Sequence, residues 1–191
     1  MEPDDPETVE ELVKRAAAGE REAWNALVRR FNGLIWSIVR QHRLSSEDAQ
    51  DATQVVWLRL LESLGTLRDP SRVSAWLATT TRYECLRLIR LRRRTLSTVE
   101  DMLESRVDPV ASPEEIVTEH DHQRGVFACM RRLGPRCRQL LELSAFKLHY
   151  QEIAKLLDMP VGSIGPTRKR CLDQLRKLLR AGGISPDVLD S

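Results

Sequence analysis

The side chains with most chemistry to offer are cationic and stand in two blocks. Arg82, Arg87, Arg90, Arg92, Arg93 and Arg94 surround Tyr83, and Ser163, Thr167, Arg168, Lys169 and Arg170 form a second group near the C-terminus. Guanidinium and ammonium groups at this density suit phosphates, because each contact releases condensed counterions. Arginine can also grip a guanine edge with two hydrogen bonds, a threonine can touch a thymine methyl, and a tyrosine ring can stack on an unpaired base. Covalent catalysis has no comparable support. The four His are scattered, no glycine-rich loop follows a strand, and no Ser, His and acid set stands together, so neither a catalytic residue nor a cofactor is expected. Cys85, Cys129, Cys137 and Cys171 fall singly. His120, His122, Cys129 and Cys137 lie near one another but match no common zinc spacing. With no basic or apolar signal region at the start, a reducing cytosol argues against disulfides, and the thiols read as buried or idle.

The net charge of +2 conceals large swings along the chain. Residues 82–96 carry 6 basic side chains against 1 acidic one, residues 97–123 set Arg106 alone against 8 acids, and residues 124–180 carry 13 basic against 4 acidic. Two basic surfaces divided by an acidic connector suit a polyanion binder with two contacts, since the connector is repelled from the surface the blocks seek. Isolated charge runs are more often solvated helix faces, so the motifs within each block must decide.

The elements that would carry these groups are helical. Thr8 and Glu11 have capping-box spacing ahead of Val9, Leu12, Val13 and Ala16, with a stop at Gly19. Trp24, Leu27, Val28, Phe31, Leu34, Ile35 and Ile38 mark a helix from Glu20 to His42. Ser45 caps a third helix carrying Ala52, Val55, Val56, Leu60 and Leu64. After the Asp69-Pro70-Ser71 turn, Ser71 caps a fourth that runs through Trp76 and Leu77 to Arg94. These four predict a bundle over residues 7–95. Residues 96–111 lose the apolar period and read as a flexible acidic linker. Ser112-Pro113-Glu114-Glu115 then opens a second unit over 112–180, with 181–191 as a tail. The fold class is therefore all-α, two small helical domains on a tether.

The most specific pattern is a helix-turn-helix from Tyr150 to Leu179. Ile153, Ala154 and Leu157 give a short first helix, Met159-Pro160-Val161-Gly162 breaks it, and Ser163 is placed to cap a second helix with Ile164 and Cys171 buried. Ala154 is small where helices cross steeply, and an apolar residue follows ten positions on. With Ser163 as cap, Pro166 would be the third helical residue, where a missing N–H removes no intrahelical bond. The second helix would enter the major groove by its N-terminal end.

In this order the parts resemble the extracytoplasmic-function group of bacterial sigma factors, which retain the second and fourth sigma regions. The likeness spans Glu7 to Leu179. Asp51-Ala52-Thr53-Gln54 followed by Trp57 is similar to the family's polymerase-docking pattern, and Trp76-Leu77 with Arg82 to its minus-10 signature. The resemblance implies docking on core RNA polymerase, at the clamp coiled coil of its largest subunit, through Asp48, Asp51, Ala52, Thr53, Gln54 and Trp57. It implies minus-10 DNA contacts along Arg82–Arg94 and minus-35 contacts along Ser163–Arg170. Trp76 and Leu77 fall on the apolar stripe with Val73 and read as core. Tyr83, Arg87 and Gly165-Pro166-Thr167 depart from the family's usual residues, so promoter sequence does not carry over. A cytoplasmic location and an anti-sigma partner are implied as well. A polymerase-independent helix-turn-helix regulator is the alternative; it leaves the Asp51 pattern and the first basic block unexplained. A recombinase would need a nucleophile site on a stranded domain.

Overall fold

A computed structural model of the protein describes residues 7–96 and 121–186. All regular elements among them are helical, and the chain divides into two compact units, Met1–Ser112 and Pro113–Ser191. No helix among the described residues is long and apolar enough to cross a membrane.

In the first unit, α1 (Val9–Ala17) starts on the capping box: the Glu11 N–H donates to Thr8 Oγ1 at 3.3 Å, and the Thr8 N–H donates to Glu11 Oε2 at 2.9 Å. It ends where Gly19 takes φ +90°, a backbone state that side chains disfavour. Helix α2 (Arg21–Gln41) buries Ala23, Leu27, Phe31, Leu34, Ile35 and Ile38 at steps of three and four residues, and packs on α1 and α4. Each such aliphatic side chain contributes roughly 1.5–3 kcal/mol when withdrawn from water. Helix α3 (Ser46–Ser63) begins where Ser45 Oγ accepts the Asp48 N–H at 3.2 Å; it buries Ala49, Ala52, Val56 and Leu60.

Helix α4 (Val73–Leu96) has a different start from the one expected. Asp69 Oδ1, rather than Ser71, acts as the cap by accepting the Ser71 N–H at 3.1 Å. Pro70 stands at the first position of a 3-10 turn, Pro70–Arg72, which feeds into α4. Proline suits that position because it has no N–H to leave unpaired, which moves the capping role to the residue before it. Val73, Leu77, Ala78, Thr81 and Cys85 line the buried side of α4, and Trp76 is only half-buried. Apart from Leu96, the expected linker and the Ser112–Glu115 helix start lie outside the described residues.

The second unit contains α5 (Asp121–Arg132), α6 (Pro135–Ala145), α7 (Tyr150–Leu157) and α8 (Val161–Ala181). Helix α8 packs on the other three and contributes Ile164, Cys171, Leu175 and Leu179 to a core shared with Leu140, Leu143 and Ile153. On α5, Phe127 is half exposed and Cys129 is buried. The Gly134-Pro135 break is held by Arg138, whose guanidinium donates to the carbonyls of Met130 at 3.2 Å, Arg131 at 2.6 Å and Leu133 at 3.3 Å. These carbonyls lie at and just past the end of α5, where intrahelical donors run out, although the Met130 carbonyl also accepts the Leu133 N–H at 3.2 Å.

The expectation that the thiols form no disulfide is corrected. Cys137 on α6 and Cys171 on α8 form a disulfide, with Cα atoms 5.2 Å apart. They are 34 residues apart in sequence, so only the packing of α6 on α8 reveals the pair. Cys85 and Cys129 are free and buried, and burial pushes the Cys85 thiol up to about 12.

Candidate nucleic-acid and docking surfaces

The face of α3 turned away from the core is set by helical spacing. Asp51, Gln54, Leu58 and Leu61 follow one another at three- and four-residue steps and are all exposed, Leu58 by 53% and Leu61 by 54%. A row that is polar at one end and apolar at the other suits a protein partner, because two leucines left in water gain from being covered. Of this row the sequence assigns Asp51 and Gln54 to docking; Leu58 follows Trp57 in the same pattern without a role, and Leu61 is not among the candidates. Leu58 and Leu61 continue the register of Asp51 and Gln54, and that spacing was the available signal.

The other residues named for docking have internal partners. Ala52 is buried, Thr53 Oγ1 donates to the Ala49 carbonyl at 2.9 Å, and Trp57 packs edge-on against Trp24 with centroids 5.8 Å apart. Asp48 is paired with Arg92 at 2.7 Å, and Arg92 also donates to Ser45 Oγ at 2.8 Å. Asp48 and Arg92, assigned from sequence to two different surfaces, thus join the end of α4 to the start of α3.

Along α4, Tyr83, Arg87, Arg90 and Arg94 repeat at steps of four, three and four, with Arg82 and Arg93 beside them, all exposed. This surface is anchored from beneath by Glu84, which is fully buried. Arg59 Nη2 of α3 lies 2.6 Å from one Glu84 oxygen, and Arg87 Nε lies 2.7 Å from the other. The Arg59 guanidinium also sits 5.9 Å from the centre of the half-exposed Tyr83 ring. One buried carboxylate therefore positions both an arginine of the basic face and the aromatic ring next to it. His42, at the end of α2, is held below its usual range by burial first and by the Arg82 charge second.

An open cleft of about 530 Å³ adjoins the start of α4, lined by Ser63, Thr66, Arg68, Asp69, Arg72 and Trp76 among others. Trp76 forms a wall of it rather than part of the core, as the sequence had suggested, whereas Leu77 is fully buried. An aromatic wall, hydroxyls, a carboxylate and two guanidinium groups are what a flat, polar-edged ring requires.

In the second unit α7, a turn and α8 form the expected helical hairpin. Asp158 ends α7 with φ +50°, the left-handed state of a helix C-cap. Helix α8 starts three residues earlier than a Ser163 cap would allow. Its cap position is Pro160, and the Ser163 hydroxyl donates back to the Pro160 carbonyl at 2.7 Å. Proline at 160 fixes an extended entry to the helix, and the turn then closes through the Ser163 N–H on the same carbonyl at 3.0 Å. Pro166 accordingly sits inside the helix, where it denies the Gly162 carbonyl its usual donor. Pro166→Ala is expected to raise the stability of this unit by about 1–3 kcal/mol, read as slower hydrogen exchange in α8; unchanged exchange would mean that the lost bond is replaced locally.

Lys169 and Arg170 are exposed, while Thr167 and Arg168 are half-buried on the forward part of α8; Arg170 donates to Thr167 Oγ1 at 3.3 Å. If Arg168 reads a base, Arg168→Ala costs roughly 1–3 kcal/mol of duplex binding and relaxes preference at one base pair. An equal, salt-dependent loss on every sequence would mark it as a phosphate contact.

Residues 27–95, which run from within α2 into the last turn of α4 and so include the exposed row of α3, the cleft and the first basic face, match the family model for sigma-70 region 2. The chain is 26% identical over 166 residues to the ECF RNA polymerase sigma-E factor of Escherichia coli K12, covering 80% of this chain and 84% of that protein. It is 28% identical over 172 residues to the ECF RNA polymerase sigma factor BldN of Streptomyces coelicolor, covering 88% of this chain and 65% of that one. Among solved structures, CnrH in complex with the cytosolic domain of CnrY aligns with 92% of this chain and 99% of its own, at 21% identity and a TM-score of 0.48.

Proposed function

We propose that the chain is a member of the extracytoplasmic-function group of the sigma-70 family, a reading its likenesses support, and that its two units divide the labour. The first docks on core RNA polymerase through Asp51, Gln54, Leu58 and Leu61, and captures opened minus-10 DNA on the Arg82–Arg94 face. Tyr83 stacks on one unpaired base and the Trp76 cleft receives another. The second unit sets the forward end of α8 on duplex minus-35 DNA. The observation that carries this reading is the match to sigma-70 region 2 over the elements that present an exposed docking row and a basic, aromatic-bearing face.

Tethering makes the second contact intramolecular, so two modest DNA affinities combine while the chain is held on one enzyme. The chain directs initiation in the cytoplasm and leaves catalysis to the polymerase. An anti-sigma factor is the expected inhibitory partner, acting by covering these same surfaces. Run-off transcription with purified core polymerase, with start sites sequenced on genomic templates, tests the proposal. Defined start sites that appear only with this chain present support it; start-site choice unaltered by the chain overturns it.

A further inference from the structure

We propose that Cys137 and Cys171 are a reversible dithiol–disulfide site that sets the rigidity of the helix-turn-helix. The two cysteines face one another where α6 meets α8, with Cα atoms 5.2 Å apart, a separation that a disulfide spans without backbone movement. Their positions on the helices give the bond its effect. Cys137 is in the first turn of α6, and Cys171 immediately follows Arg170 on α8. The 34-residue separation encloses the rest of α6, all of α7, the Asp158 turn and the whole forward end of α8. A bond at that place closes a loop around the reading hairpin and little else. Closing a loop removes open conformations of the segment it encloses, so the oxidised hairpin opens less often than the reduced one.

The two sulfurs differ in access. Cys137 is half-buried in the first turn of α6, whereas Cys171 is 1% exposed. Cys137 is therefore the sulfur that meets an oxidant. With a peroxide, the Cys137 thiolate attacks one peroxide oxygen and becomes a sulfenic acid, while the other oxygen leaves as water or an alcohol. The Cys171 sulfur then attacks the Cys137 sulfur, and its proton leaves with the sulfenic hydroxyl as water. Two thiols lose two electrons, and one peroxide gains them. A dithiol reductant reverses the step by exchange. Cys85 and Cys129 are buried without a partner and do not compete. The inference rests on the proposed cytoplasmic, DNA-reading role for one point only: a reducing compartment keeps the pair open at rest, so that oxidation is the signal.

The test uses the full chain, equilibrated with dithiothreitol or with hydrogen peroxide, then denatured and alkylated, with parallel hydrogen exchange on the native protein. The expected result is four alkylated cysteines after reduction and two after peroxide, the missing pair mapping to a Cys137–Cys171 peptide. Exchange in peptides from residues 138–170 is expected to be at least about tenfold faster in the reduced protein, with peptides from residues 12–60 unchanged. Cys137→Ser should exchange at the reduced rate under both conditions. Four alkylated cysteines after peroxide, a different linked pair, or equal exchange in the two states overturns the proposal. Binding of a minus-35 duplex in the same samples tests the role separately: no binding in either state counts against the DNA-reading role and leaves the thiol result to stand on its own.

Discussion

Leu58→Asp combined with Leu61→Asp is expected to weaken assembly with core RNA polymerase by at least about a hundredfold, or close to 3 kcal/mol. The size follows from position. Both side chains are more than half exposed in the free protein, at 53% and 54%, so the substitutions remove little internal packing. At an interface they would bring two carboxylates into a surface that must lose its water, and an unpaired buried charge costs far more than a lost contact. Asp51→Arg with Gln54→Ala acts at the polar end of the same row and should cost less, because rim charges act mainly on the rate of encounter. Co-purification with core enzyme measures both losses. All four tryptophans lie in the first unit, so an unchanged fluorescence melt would show that the fold is intact. Normal assembly by the leucine double variant, with the melt unchanged, would remove α3 from the docking surface.

That Leu58 and Leu61 share the exposed face of Asp51 and Gln54 was open to a reader of the sequence, since helical spacing alone puts them in line. The same short-range logic placed the caps at Thr8 and Ser45 and the span of α2. It failed where two candidate caps compete around a proline. At Asp69-Pro70-Ser71 and at Pro160 to Ser163, the fixed proline backbone decides which residue begins the helix, and both helices start elsewhere than the nearest serine suggests. It also had no access to partners on different helices. Arg92 reads as a phosphate contact because its spacing resembles a phosphate-binding face; packing of α3 on α4 gives it to Asp48. The Cys137–Cys171 pair was hidden for the same reason. Arg87, by contrast, pairs with Glu84 three residues before it on α4, a step that helical spacing did offer. Periodicity shows which face of a helix is buried and says nothing about what that face meets.

The Glu84 arrangement gives the largest expected effect on stability. Arg59→Met with Arg87→Met should destabilise the first unit by about 3 kcal/mol, the lower end of the range for stranding a buried charge. The lower end applies because the two guanidinium groups are 41% and 46% exposed, so water already screens part of each pairing. Adding Glu84→Leu should recover most of that loss, since a packed apolar side chain has no charge to satisfy. Urea unfolding followed by tryptophan fluorescence measures both steps. A double variant within about 0.5 kcal/mol of the parent would mean that Glu84 finds other donors. The rescued triple variant then separates folding from function. Its core is sound, but Arg59 no longer stands over the Tyr83 ring, and Arg87 is gone from the basic face. If that carboxylate is kept to hold the DNA-facing side chains in place, the triple variant should assemble with polymerase normally yet open promoters poorly. Permanganate footprinting of unpaired thymines would reveal the defect. Full opening by the stable triple variant would assign Glu84 to folding alone.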